Sequence, residues 1–128
     1  MSKNPVIHVL VVDDHEIVRL GLATLFASYP DMKLIGEAVN GQEAVDFCAR
    51  LQPDVILMDL SMPVMDGITA TQIICQAYPL IIVLIFTNSG GFERIEQAIE
   101  AGAKGYIRKN VSSAEIAVVI RSAVFSDN

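Results

Sequence analysis

Asp59 closes the apolar run Val55-Ile56-Leu57-Met58 and opens the loop Leu60-Ser61-Met62-Pro63-Val64-Met65-Asp66-Gly67. An acidic pair, Asp13-Asp14, ends an earlier apolar run over 6–12. Strands that both stop at carboxylates bring those acids together only if they are parallel neighbours. The carboxyl edge of an open parallel sheet is also where such folds bind ligands. Three acids there repel one another unless a cation sits among them, and oxygen ligands of this kind suit Mg²⁺. These residues predict an acidic, metal-assisted pocket for phosphoryl chemistry.

The rest of the chain has to supply the sheet. Short β-branched runs over 6–12, 33–39, 55–58, 80–86 and 105–107 alternate with amphipathic segments. The first, third and fourth are apolar on both faces, as central strands of a helix-covered parallel sheet are; the second and fifth fit edges. Asp14 is expected to cap the first helix, whose apolar face holds Val18, Leu22, Leu25 and Phe26. Asn40 precedes the second helix and Asp66-Gly67 the third. The fourth presents Phe92, Ile95 and Ile99 and stops at Gly102. Ser112-Ser113-Ala114-Glu115 is a capping box opening the fifth, with Ile116, Val119, Ile120, Ala123 and Val124 on one face. Short connections imply right-handed crossovers. The pattern predicts α/β, a (βα)₅ doubly wound, flavodoxin-like sandwich of strand order 2-1-3-4-5, with strands one and three adjacent at the switch point.

A chain of 128 residues, 52% apolar and 19% charged, is one folded domain by size and composition. A net charge of −6 argues against this segment gripping a nucleic-acid backbone by itself. The longest apolar run is too short to cross a bilayer, and the polar start Met1-Ser2-Lys3-Asn4-Pro5 has no signal-peptide core. Cys48 and Cys75 lack metal spacing. Cys48 shares a helical stripe with Ala44, Phe47 and Leu51, which predicts a buried reduced thiol and a cytoplasmic chain.

Four segments stand in order at the ends of strands one, three, four and five. They are Val11-Val12-Asp13-Asp14-His15, the stretch 58–67, Phe86-Thr87, and Gly102-Ala103-Lys104-Gly105-Tyr106-Ile107-Arg108-Lys109. Together they resemble, over essentially the whole chain, the receiver domain of two-component response regulators, a CheY-like fold. The Asp-Asp-His opening followed by Glu16-Ile17-Val18-Arg19-Leu20-Gly21-Leu22 is similar to the NarL/FixJ (LuxR-type) subfamily.

The resemblance implies that Asp59 is the phosphoacceptor, charged by a sensor histidine kinase or phosphotransfer protein. It also implies Mg²⁺ held by Asp13, Asp14, Asp59 and the backbone carbonyl of Ser61. Lys109 would pair with Asp59 and then with a phosphoryl oxygen. Thr87 would donate its hydroxyl to the phosphoryl group, and Tyr106 would turn inward as Thr87 moves. The chemistry suits these residue types: a rigidly held carboxylate can meet phosphorus in line, a lysine is a mobile point charge, and tyrosine has an apolar ring with a polar tip. Each also has a plainer reading: Asp59 as a strand-end acid, Asp14 as a helix cap, Lys109 as a solvated surface cation, Tyr106 as a fixed edge-strand residue.

Such a domain is a phosphoacceptor signalling module, catalysing only its own aspartyl phosphorylation and dephosphorylation. Residues 1–128 are expected to be the receiver of a longer transcriptional regulator whose C-terminal helix-turn-helix output domain binds DNA. Pairing with a second copy on phosphorylation is a further expectation, and no membrane contact is expected. The chain departs from the family pattern at Asn110, where a proline is common, and at Asn88, where a small residue is usual. Ser61 and Ser89 occupy variable positions that influence phosphoaspartate hydrolysis, and Gly90-Gly91 loosens the start of helix four. His15 is read as a loop residue near the acidic site and His8 as unconnected with it; neither is assigned as a ligand.

Two other classes compete. A haloacid-dehalogenase-type phosphohydrolase needs a second aspartate two residues after the nucleophile, where Ser61 stands. A phosphorylation-independent pseudo-receiver would not need Asp13, Asp14, Asp59, Thr87 and Lys109 together. A nucleotide-binding reading lacks a glycine-rich loop after strand one.

Overall fold

The apolar runs and their amphipathic partners fold in strict alternation. The order is β1 (Ile7–Val12), α1 (Glu16–Ala27), β2 (Met32–Ala38), α2 (Gly41–Leu51), β3 (Val55–Met58), α3 (Gly67–Ala77), β4 (Ile82–Thr87), α4 (Phe92–Ala101), β5 (Gly105–Arg108) and α5 (Ser113–Phe125). This computed structural model describes residues 5–88 and 91–126. Ser89, Gly90 and the terminal stretches 1–4 and 127–128 lie outside the described residues. All pairings are parallel and the strand order is β2-β1-β3-β4-β5, as the alternation predicts.

The central strands are apolar on both faces because each face meets a helical layer. Val9, Val11, Leu57, Leu84, Phe86 and Ile107 pack with Leu22, Phe26, Ile116 and Ile120 of α1 and α5. The alternate residues Leu10, Val12, Ile56, Met58, Val83 and Ile85 pack with Ala44, Cys48, Ala70, Ile74 and Ala98 of α2, α3 and α4. Burying each such large aliphatic side chain contributes about 1.5–3 kcal/mol. Cys48 is a fully buried free thiol whose pKa burial pushes up to about 11, so it is inert packing.

Helix starts follow the predicted caps, with one exception. Asn40 accepts from the Glu43 N–H while Glu43 accepts from the Val39 N–H, a reciprocal cap. Asp66 accepts from Thr69 N–H and Ser112 from Glu115 N–H. Asp14 does not cap α1; His15 occupies that position without a side-chain cap bond. The face of α4 also differs from expectation. Ile95 and Ala98 are buried, whereas Phe92 is 71% exposed and Ile99 also faces solvent, because α4 leans on α3 along a narrow strip. The fourth strand starts at Ile82, since Leu80 lies in the turn after α3, and it runs on through Thr87.

One ion pair ties α5 to the turn after α1. Arg121 donates to both oxygens of Asp31, at 2.8 and 3.1 Å, with its guanidinium over the Tyr29 ring. That bond holds the Asp31 carboxyl below its usual range. A depressed carboxylate pKa contributes stability above the unfolded pKa that is lost as pH falls through the folded one. Asp31→Asn should therefore destabilise the protein at neutral pH and leave a shallower acid limb in a melting-temperature profile against pH. An acid limb identical to wild type would remove this pair from the stability account.

Candidate functional site

The register brings the acids together. Val12 pairs with Met58, and the Asp59 N–H donates to the Val12 carbonyl at 3.0 Å, so Asp13 and Asp59 leave adjacent strand ends. Thr87 pairs with Arg108, and the Lys109 N–H donates to the Thr87 carbonyl at 2.9 Å, which carries the ladder one residue further on β5. His15, Asp59, Ser61, Thr87, Asn88 and Lys109 line a cleft of about 330 Å³ at this edge.

Lys109 reaches from β5 to Asp13 on β1, where Nζ lies 2.6 Å from Oδ2. Asp59 Oδ1 is further, at 3.6 Å. The expected Lys109–Asp59 pair is thus present but secondary, because Asp13 is the more enclosed acid, 1% exposed against 6% for Asp59. A buried carboxylate without a close cation would be far costlier. Asp59 Oδ1 also accepts from the Leu60 N–H at 2.9 Å. Burial, then the charge of Asp13, push the Asp59 carboxyl above its usual range; Lys109 and the Leu60 N–H pull the other way.

One ligand atom each from Asp13, Asp14, His15 and Asp59 all lie within 4.8 Å of one another. Three carboxylates offset by one lysine form a donor set of hard oxygens that suits a divalent cation. His15 stands near the acidic site, as its place in the loop predicts, and its ring joins the cluster although the sequence assigns it no ligand role. Its Nδ1 sits 2.9 Å from Asp13 Oδ1 and 3.3 Å from Asp14 Oδ1. The bond to Asp13, then the charge of Asp14, push the ring above the usual imidazole range. Its position directly after two aspartates was the available signal.

Tyr106 stands apart from the cleft. It pairs with Ile85 across the β4–β5 ladder and is 43% exposed, with Arg108 against its ring. Arg94 was missed altogether. Its Nη1 donates to Ser61 Oγ at 2.8 Å, and its Nη2 lies 3.7 Å from Asp66 Oδ2. A cation in the first turn of a helix opposes the macrodipole, which flags a partner elsewhere.

Two backbone features shape the loop after Asp59. The Met65 N–H donates to the Pro63 carbonyl at 2.7 Å around Val64, whose φ of 70° is a strained value for a β-branched residue. At Gly67 an added Cβ would lie 2.0 Å from the Asp59 carbonyl oxygen, so the start of α3 fits against the site only without a side chain.

A five-stranded parallel sandwich with this acidic edge is the architecture of a receiver domain. Residues 9–121 match the family described as the response regulator receiver domain, and the chain belongs to it. It is 46% identical over 117 residues to the transcriptional regulatory protein LiaR of Bacillus subtilis, covering 91% of this chain and 56% of LiaR. It is 41% identical over 115 residues to the response regulator protein VraR of Staphylococcus aureus, covering 90% and 55%. The crystal structure of a LuxR-family two-component response regulator from Aurantimonas superposes with a TM-score of 0.87 at 35% identity, covering 93% and 85%. The Aurantimonas neighbour is described as LuxR family, the type to which the sequence motifs point. The chain spans about half the length of the curated relatives it matches.

Asp59→Asn should raise the melting temperature by about 3 °C in metal-free buffer at neutral pH, since it removes a buried charge facing Asp13. The raised pKa means that the cost exists only where Asp59 is ionised, so the gain should shrink as pH is lowered in thermal melts. A variant that melts below wild type at neutral pH would contradict this. Gly67→Ala should cost about 2–3 kcal/mol in urea unfolding, because backbone and not a flexible side chain must give way; a loss below about 0.5 kcal/mol would show that the loop yields freely.

Proposed function

We propose that the domain accepts a phosphoryl group on Asp59 from the phosphohistidine of a sensor kinase or phosphotransfer protein, and relays the change to an output. The observation that carries this reading is the placement of Asp59 at the end of β3, beside Asp13 and within reach of Lys109, at the floor of an open cleft. An Asp59 carboxylate oxygen attacks phosphorus in line with the departing imidazole nitrogen. The P–N bond breaks as the P–O bond forms, and the nitrogen takes the electron pair. Lys109 moves from its shared contact with Asp13 and Asp59 to a phosphoryl oxygen, and the Thr87 hydroxyl donates to another. Asp13, Asp14, Asp59 and the Ser61 carbonyl would hold Mg²⁺. Bound there, the ion offsets the charge that gathers on the phosphoryl oxygens.

Inward movement of Thr87 opens space beside β5, and Tyr106, now outward, turns into it; these two form the switch. The chain acts as a signalling domain that catalyses only its own phosphorylation and dephosphorylation. By analogy with the transcriptional regulatory protein LiaR, the whole protein regulates transcription; following the sequence motifs, it does so in the cytoplasm through a C-terminal DNA-binding domain and pairs with a second copy when phosphorylated. Among the described residues no helix is long and apolar enough to cross a membrane.

Incubation with acetyl phosphate and Mg²⁺, followed by intact mass, tests the assignment. Wild type should gain one phosphoryl adduct, lost when Mg²⁺ is chelated and absent in Asp59→Asn. Lys109→Ala should still be phosphorylated but lose the accompanying conformational change. An adduct retained in Asp59→Asn would move the phosphoacceptor elsewhere; no adduct in wild type would favour the pseudo-receiver.

A further inference from the structure

Ser61 follows Asp59 by two residues and lines the cleft, yet its hydroxyl is held from outside the loop by Arg94 of α4. The same guanidinium faces Asp66, whose other oxygen caps α3 through the Thr69 N–H. The loop between them is pinned as well. The Gly67 N–H donates to the Leu60 carbonyl and the Gly41 N–H to the Met65 carbonyl, each at 2.9 Å. Ser61 is therefore a fixed hydroxyl on the cleft wall with a charged donor on its oxygen. Nothing in the phosphorylation chemistry above uses Arg94.

We propose that Arg94 is a positioning residue that prolongs the life of the Asp59 phosphoryl group by occupying the Ser61 hydroxyl oxygen. The inference rests on Asp59 being the phosphoacceptor. In hydrolysis a water oxygen bonds to phosphorus, the bond from phosphorus to the Asp59 oxygen breaks, and its electron pair returns to the carboxylate. Inorganic phosphate leaves, and the water's surplus proton passes to it or to solvent. A nearby hydroxyl speeds that attack when its oxygen accepts a hydrogen bond from the incoming water and orients it. A guanidinium already donating to that oxygen makes it a poorer acceptor and a better donor. Ser61 then presents its proton in preference to its one remaining, weaker lone pair, and incoming water loses a guide.

The arrangement also links hydrolysis to α4. Arg94 projects from the first turn of a helix whose N-cap, Gly91, has no side chain to fix it. Whatever displaces α4 breaks the bond to Ser61 and shortens the signal.

The test is the half-life of the phosphorylated protein at fixed Mg²⁺, read by intact mass after acetyl phosphate is removed. It is measured for wild type, Arg94→Ala, Arg94→Lys, Ser61→Ala and the Arg94→Ala/Ser61→Ala double variant. Arg94→Ala should shorten the half-life about three- to tenfold, as expected for one lost charged hydrogen bond. Arg94→Lys, which keeps a donor, should recover most of the loss, and in the Ser61→Ala background Arg94→Ala should change nothing further. An unchanged or longer half-life in Arg94→Ala, or an equal effect without the Ser61 hydroxyl, would overturn the proposal. Arg94→Gln replaces Arg94→Ala if the latter melts near the assay temperature. Failure of wild type to take up any phosphoryl group would sink the phosphoacceptor reading and this inference with it. Normal phosphorylation with an Arg94-independent lifetime would sink this inference alone.

Discussion

Everything at the carboxyl edge depends on one contact, Lys109 Nζ to Asp13 Oδ2. Asp13 and Asp59 are nearly without solvent, and Asp14 adds a third acid beside them. Continuous protein around such a cluster is tolerable only if a positive charge is delivered into it. Lys109 starts two strands away from β3 in the sheet and reaches over the Phe86 ring to get there. A flexible four-carbon stem ending in a compact charge with three donors meets that demand. The contact also leaves Asp59 only partly satisfied, at 3.6 Å from the ammonium. A carboxylate whose cation is engaged more tightly by a neighbour remains open to other partners at the cleft.

That contact exists only because the sheet is in register. Side chains alternate along each strand, so a slip of one residue between β1 and β3 would send Asp13 or Asp59 to the wrong level and exchange the two core faces. The exchange is blocked by the cores themselves. Val9 and Val11 belong to the layer under α1 and α5, while Leu10 and Val12 belong to the layer under α2, α3 and α4. Two apolar layers with different helices thus fix the height of the polar residues that follow. Packing of the two cores sets the level of the acids at the sheet edge.

The parts of this architecture visible in the sequence are those carried by periodicity and local chemistry. Uninterrupted β-branched runs marked β1, β3 and β4 as central. Asn40, Asp66 and Ser112 announced helix starts because a side-chain acceptor must stand there. The acids were legible since each ends a strand. What failed was competition among adjacent candidates and contacts between distant elements. Asp14 looked like the cap of α1, but the chain has His15 at that position and directs Asp14 toward the cluster. Phe92 and Ile99 matched a helical stripe, yet α4 meets the rest of the protein through Ile95 and Ala98, so periodicity named more residues than the groove could hold. The Lys109 preference for Asp13 over Asp59 and the reach of Arg94 to Ser61 span 96 and 33 residues. Neither pairing leaves a local pattern, because both depend on which loop lies under which helix.

Burial is uneven between the last two helices. Helix α5 buries Ile116, Ala117, Ile120 and Ala123, and Arg121 anchors it again through Asp31. Helix α4 buries only Ile95 and Ala98 and begins at a glycine without a side-chain cap. Elements with few buried contacts occupy the low-stability end of a fold, and displacements begin there. Yet α4 carries Arg94, one residue from its buried Ile95, and Arg94 touches the loop that starts at Asp59. A lightly packed helix tied to a hydrogen-bonded loop feels changes in that loop without resisting them. The light packing of α4 and its polar contacts through Arg94 are therefore complementary, since a better-buried helix would hold its place whatever happened at the acidic edge.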